Sequence, residues 1–125
     1  MRGNVVMIVI SLLVLVAGIL LLGWVQMTTG ELSDLRNEVE TRIESGDDGA
    51  GNAIRKLQEK WWGDMVFWQC VTTHEEVQHV TELIELMSHS YQQGDTPQTL
   101  LYCHLLQEAF DALQARELPT PDNIL

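Results

Sequence analysis

The chain has 125 residues, 46% of them hydrophobic, with 7 basic against 18 acidic side chains and two cysteines. Arg2 is the one charged side chain before Glu31, so the region from Glu31 onward carries a formal net charge of about −12. Such a balance argues against nucleic-acid binding, which needs clustered Lys and Arg, and against lying on an anionic lipid surface.

Residues Val5 to Val25 are 21 consecutive positions without a charge, Ser11 being the one polar side chain among them. As a helix this stretch is roughly 31 Å long, matching a hydrocarbon core of about 30 Å. The apolar run exceeds the roughly 7–15 residues of a cleaved signal and has no small-x-small pair after it, so a retained anchor is expected. Trp24 falls at the predicted interface. Arg2 on one flank, against a first Arg36 on the other, sets the amino terminus in the cytoplasm by the positive-inside rule. Residues 1–4 are then a cytoplasmic tip, 5–25 the anchor in the cell membrane, and residues 26–125 lie outside.

Beyond a short linker over Gln26–Gly30, Leu32, Leu35, Val39 and Ile43 form one helical stripe and predict a juxtamembrane helix. Gly46-Asp47-Asp48-Gly49-Ala50-Gly51-Asn52 breaks it. The Asp47-Asp48-Gly49 piece lacks the ligand spacing and closing Glu of a calcium loop. Ile54, Leu57, Trp61, Met65 and Trp68 make a second stripe, which either runs on through Val71 or stops where Thr72 or Thr73 caps a new helix. Thr73 with Glu76 fits a capping box, and Val77, Val80, Ile84, Met87 and Tyr91 space a helix–helix seam. Gly94 ends that helix, Thr96 caps the next and Pro97 suits its first turn. The last helix, about Pro97–Arg116, is expected to bury Leu101, Leu105, Ala109 and Ala112, with part of Leu106, Phe110 and Leu113. Pro119 and Pro121 stop it. The expected fold is therefore all-α: a transmembrane helix (5–25), a juxtamembrane helix and loop (26–51), a small antiparallel bundle (52–118) and a tail (119–125).

Candidate chemistry is thin. His74-Glu75-Glu76-Val77-Gln78-His79 is not the zinc-protease helix, because position i+4 is Gln78 and His79 is turned about 140° from His74. Cys70, His74, Cys103 and His104 supply a zinc-type donor set, but neighbouring residues on a helix diverge by about 100°, so Cys103 and His104 would not easily share an ion. The cysteines have two open fates: a disulfide closing a loop of about 34 residues, worth roughly 3–4 kcal/mol, or two free buried thiols. Trp61 and Trp68 belong to the core. Trp62, about 100° away, either widens the buried face or stays exposed as a partner contact.

Trp61, His74 and Glu76 followed by Val77, and a terminal Asn123-Ile124-Leu125, together resemble a family of short bacterial single-pass membrane proteins of Gram-positive, often spore-forming lineages. The resemblance spans nearly the whole chain and implies an amino-terminal anchor with a helical ectodomain, and no known activity. The Gly63-Asp64 pair and the two cysteines depart from the pattern. His74 and Glu76 are expected to tie the helix start to its neighbour, and Ile124 and Leu125 to pack on the bundle, with Asn123 bonding near a helix end; a docking peptide is the alternative for the tail.

The expectation is a non-catalytic, membrane-anchored extracytoplasmic protein without a cofactor. Its partners are membrane lipid through the anchor, and a membrane protein or a second copy of itself. The rival is a small metal- or ligand-binding ectodomain using Cys70, His74 and the Cys103-His104 pair.

Overall fold

The computed structural model describes residues 2–117, and among them the chain is all-α, with five helices: α1 (Arg2–Glu44), α2 (Ala50–Gly63), α3 (Met65–Val71), α4 (His74–Gln92) and α5 (Thr96–Glu117). The tail, with Asn123, Ile124 and Leu125, lies outside the described residues. Among the described residues one helix, α1, is long and apolar enough to cross a membrane.

The expected linker at Gln26–Gly30 is absent, because α1 runs unbroken for 43 residues, about 65 Å. Thr28 and Thr29 are buried, and the Thr29 hydroxyl donates to the Val25 carbonyl one turn back, so it is satisfied within the helix. A single glycine inside a helix costs only about 1 kcal/mol, too little to break one that is held on both flanks. Val25, Thr29, Leu32, Arg36, Val39 and Ile43 are all buried. Their 4-3-4-3-4 spacing is a seam for packing against other helices, with Leu35 half-buried beside it.

That seam makes the second half of α1 the first helix of the bundle rather than a separate juxtamembrane element, correcting the expected division at residue 51. It packs against α2 and α5; α5 packs against α4, and α2 and α4 touch more lightly. Cross-links fix the directions. Lys60 of α2 pairs with Glu31, and the opposite end of α2 follows a loop pinned to Arg42 by Asp47, so α1 and α2 are antiparallel. On α5, Gln107 meets Ser33 and His104 meets Glu40, the same sense. The result is an up-down-up-down four-helix bundle whose proximal end is the one that α1 leaves towards its apolar half.

Two Schellman turns form the distal end. Gly46 (φ 70) and Gly94 (φ 75) adopt the left-handed conformation. Asp47 N–H then reaches the Arg42 carbonyl at 2.9 Å, and Asp95 N–H the Ser90 carbonyl at 3.0 Å, as a glycine-terminated helix requires. The cap of α5 is Asp95, whose carboxylate accepts from Gln98 N–H at 3.2 Å, in place of the expected Thr96. At α4 the Thr73 hydroxyl accepts from Glu76 N–H, as the capping box predicts.

The buried face of α5 also differs from expectation. Thr99, Cys103, Leu106, Phe110 and Leu113 form its seam, whereas Leu101 is 47% exposed and Ala112 is exposed. Thr99 can enter the core because its hydroxyl donates to the Asp95 carbonyl at 2.8 Å, which removes the cost of burying it unpaired.

Candidate functional site

The four donors named as a possible metal set do not assemble. Cys103 is fully buried against Met87, its thiol 3.4 Å from the Met87 sulfur, while Cys70, His74 and His104 are exposed. Among the described residues no three His, Cys, Asp or Glu side chains converge on a point that could hold a metal ion. Both thiols are free, so the disulfide is not formed, and Cys70 is exposed rather than buried. Burial pushes the Cys103 thiol up to about 11, leaving it protonated and unreactive at neutral pH.

His74 lies exposed in the first turn of α4, so the structure gives it no role in holding the helix to its neighbour. Glu76 does that work locally, accepting from the Thr72 hydroxyl while its own amide is capped by Thr73.

Among the polar ties that hold α1 in the bundle, those of Arg36 and Lys60 have the shortest cross-helix contacts. Arg36, buried on the seam, donates to Gln107 Oε1 (2.9 Å), the Cys103 carbonyl (3.2 Å) and Glu40 Oε2 (2.6 Å), linking α1 to α5. Lys60 Nζ lies 2.8 Å from Glu31 and 3.0 Å from Asp64. The hydrogen bond that Lys60 donates to Glu31, aided by Asp64, holds its ammonium above the usual lysine range, against an opposing effect of burial. Neither tie was foreseen. The signal for Arg36 was its position four residues after Leu32, on the apolar stripe.

The proximal end is an aromatic cluster. Trp61 and Trp68, seven residues apart, are fully buried and stacked with ring centroids 5.8 Å apart at 25°. Trp61 Nε1 donates to Thr81 Oγ1 at 2.9 Å. Trp24 of α1 meets Phe67 at 3.4 Å and Trp68 at 5.9 Å. Trp68 Nε1 is buried and finds no acceptor among the described residues. The helix is interrupted at Asp64, where φ is −99 and ψ is 6, so the second stripe does not run on as one helix. This elbow leaves Trp62 53% and Val66 76% exposed. Trp62 therefore does not widen the core.

Between α4 and α5 lies a shallow groove of about 160 Å³, with Val80, Ala109, Ala112 and Leu113 as its apolar floor and Glu75, Glu76 and His79 on its rim. These residues fall towards the proximal end, where α4 begins and α5 finishes.

The geometry defines a class: an all-α protein in which one long apolar helix continues into an acidic four-helix bundle. Compared with family models, curated proteins and solved structures, the chain matches none.

Proposed function

We propose that this is a single-pass membrane protein whose acidic helical bundle, held outside the cytoplasm, acts by binding another protein at the membrane surface and not by catalysis. One observation carries the reading: the apolar helix and the first helix of the bundle are a single rod, tied to α5 by Arg36 and to α2 by Lys60. A rod without a linker holds the bundle at one height and one attitude above the bilayer, which suits a partner in the same membrane.

The groove between α4 and α5 supports the same reading. An apolar floor with a carboxylate rim accepts an aliphatic side chain flanked by a basic residue. A second copy would bring the same acidic rim and be repelled, which favours a basic segment of a different membrane protein. The resemblance to single-pass membrane proteins through Trp61, His74 and Glu76 agrees with this architecture.

A photo-crosslinking side chain at Ala112, in the full chain expressed in cells, should yield one discrete adduct that weakens when the exposed Glu75 is replaced by Gln. Absence of any adduct there, with the protein folded and membrane-bound, would sink the binding reading. Orientation is checked separately. With Cys70→Ser, an Asp48→Cys thiol at the distal loop should react with a membrane-impermeant maleimide without permeabilisation.

A further inference from the structure

We infer that the elbow between α2 and α3 is a second membrane contact: Trp62 and Val66 enter the interface of the bilayer that α1 crosses, so the bundle is held at two points. The inference rests on α1 being a membrane span.

The argument begins with height. If Val5 marks one edge of a hydrocarbon core of about 30 Å, a helix rising 1.5 Å per residue reaches the other edge near Trp24. The structure agrees with that boundary from the protein side: residues 2–21 of α1 are exposed, burial starts at the half-buried Leu22, and Val25 is fully enclosed by the bundle. Phe67 is in ring contact with Trp24, which sets α3 beside the last turn of the apolar stretch. Its neighbour Val66, 76% exposed, is more exposed than any large hydrophobic residue of the span.

Chemistry distinguishes this patch from the rest of the surface. From Met65 to Thr73 there is no charged side chain, although the region from Glu31 onward is strongly acidic. Asp64, at the start of the elbow, is neutralised by Lys60. The overall acidity that argues against adsorption is thus missing from the elbow and α3 themselves, and the first carboxylates after them are Glu75 and Glu76 in the first turn of α4. A tryptophan with an exposed apolar body is favoured at that level. Val66 and Cys70 are four residues apart on one face of α3, so the exposed face continues that of the elbow. An exposed valine and tryptophan continuous with a membrane span are covered by the lipid that covers the span.

Depth can be read with spin labels on the full chain in nanodiscs of phosphatidylcholine and phosphatidylglycerol. In a Cys70→Ser background, labels at Val66→Cys, Val14→Cys and Asp48→Cys report collisions with oxygen and with a water-soluble nickel chelate. The labels at Val14 and Val66 should favour oxygen several-fold over the label at Asp48. Oxygen preference at Val14 with nickel preference at Val66 overturns the second contact and leaves the span intact. Nickel preference at Val14 overturns the span itself. Dipolar broadening at Val66, with low collision rates for both reagents, assigns the patch to a second copy and also overturns the lipid contact. Val66 is exposed, so its replacement leaves the core unchanged, and bromolipid quenching of the parent that falls in Trp62→Phe gives an independent check.

Discussion

Replacing Arg36 with methionine removes the guanidinium and keeps a side chain of similar length on the α1 seam. Four bonds go: to Glu40 Oε2 at 2.6 Å, to Gln107 Oε1 at 2.9 Å, to the Cys103 carbonyl at 3.2 Å and to the neighbouring Asn37 Oδ1. A hydrogen bond to a charged group nets about 1.5–3 kcal/mol. Breaking one side of a fully buried ion pair costs about 3–5 kcal/mol, because the survivor is stranded. Here the survivors are better placed. The Glu40 side chain is 20% exposed and can rehydrate, and the Cys103 carbonyl lies within α5 and keeps its i+4 amide. The expected loss is therefore about 2–4 kcal/mol, a large share of the roughly 5–15 kcal/mol that holds a domain together. Guanidinium titration of the full chain in micelles, followed by tryptophan emission, reads it, since Trp61 and Trp68 report on the bundle. Adding Gln107→Leu should recover at least about 1 kcal/mol relative to the sum of the single losses, as the polar partner is then removed too. A change below about 0.5 kcal/mol in Arg36→Met, or strict additivity in the double variant, would refute the role assigned to this tie.

Stability should fall on the alkaline side. The folded Cys103 thiol is raised to about 11 while an unfolded thiol ionises near about 8.5, so the folded state holds the proton longer. The stabilisation is complete below that lower value and is lost as pH rises towards 11, by an amount on the order of 3 kcal/mol. The raised Lys60 acts with the same sign: its contribution is present below the unfolded lysine pKa and disappears as pH rises through the folded one. Cys103→Ala should flatten the pH dependence of the denaturation midpoint between pH ~8.5 and ~10; an unchanged slope would refute the assignment. Gly30→Ala should stabilise the full chain by about 0.5–1 kcal/mol, since a Cβ there meets open space within an unbroken helix. A flexible linker at Gln26–Gly30 would instead leave the melting temperature unchanged.

What the sequence reveals depends on how each seam is written. In α4 the buried positions Val77, Val80, Ile84 and Met87 are apolar and their outward neighbours are charged, so period and face are both legible. In α5 leucines occur around the whole helix, and Thr99 and Cys103 occupy places where an aliphatic was expected; periodicity alone selects a face turned towards Leu101. In α1 the seam is hidden by Thr29 and Arg36, which satisfy their polar groups internally or across to α5 and can therefore be buried. The same two residues made an uninterrupted rod look like a span, a linker and a separate helix. Helix ends are easier, because Gly46 and Gly94 terminate helices by a local rule. The Cys70, His74, Cys103 and His104 set illustrates the reverse case. Residue types and i, i+4 spacing suggested a common site, but the 4-3-4-3 seam of α5 turns Cys103 into the core and His104, about 100° round the helix, towards solvent. A ligand set shared by two helices depends on which faces meet, and here that depended on Thr99 being able to pay for its own burial.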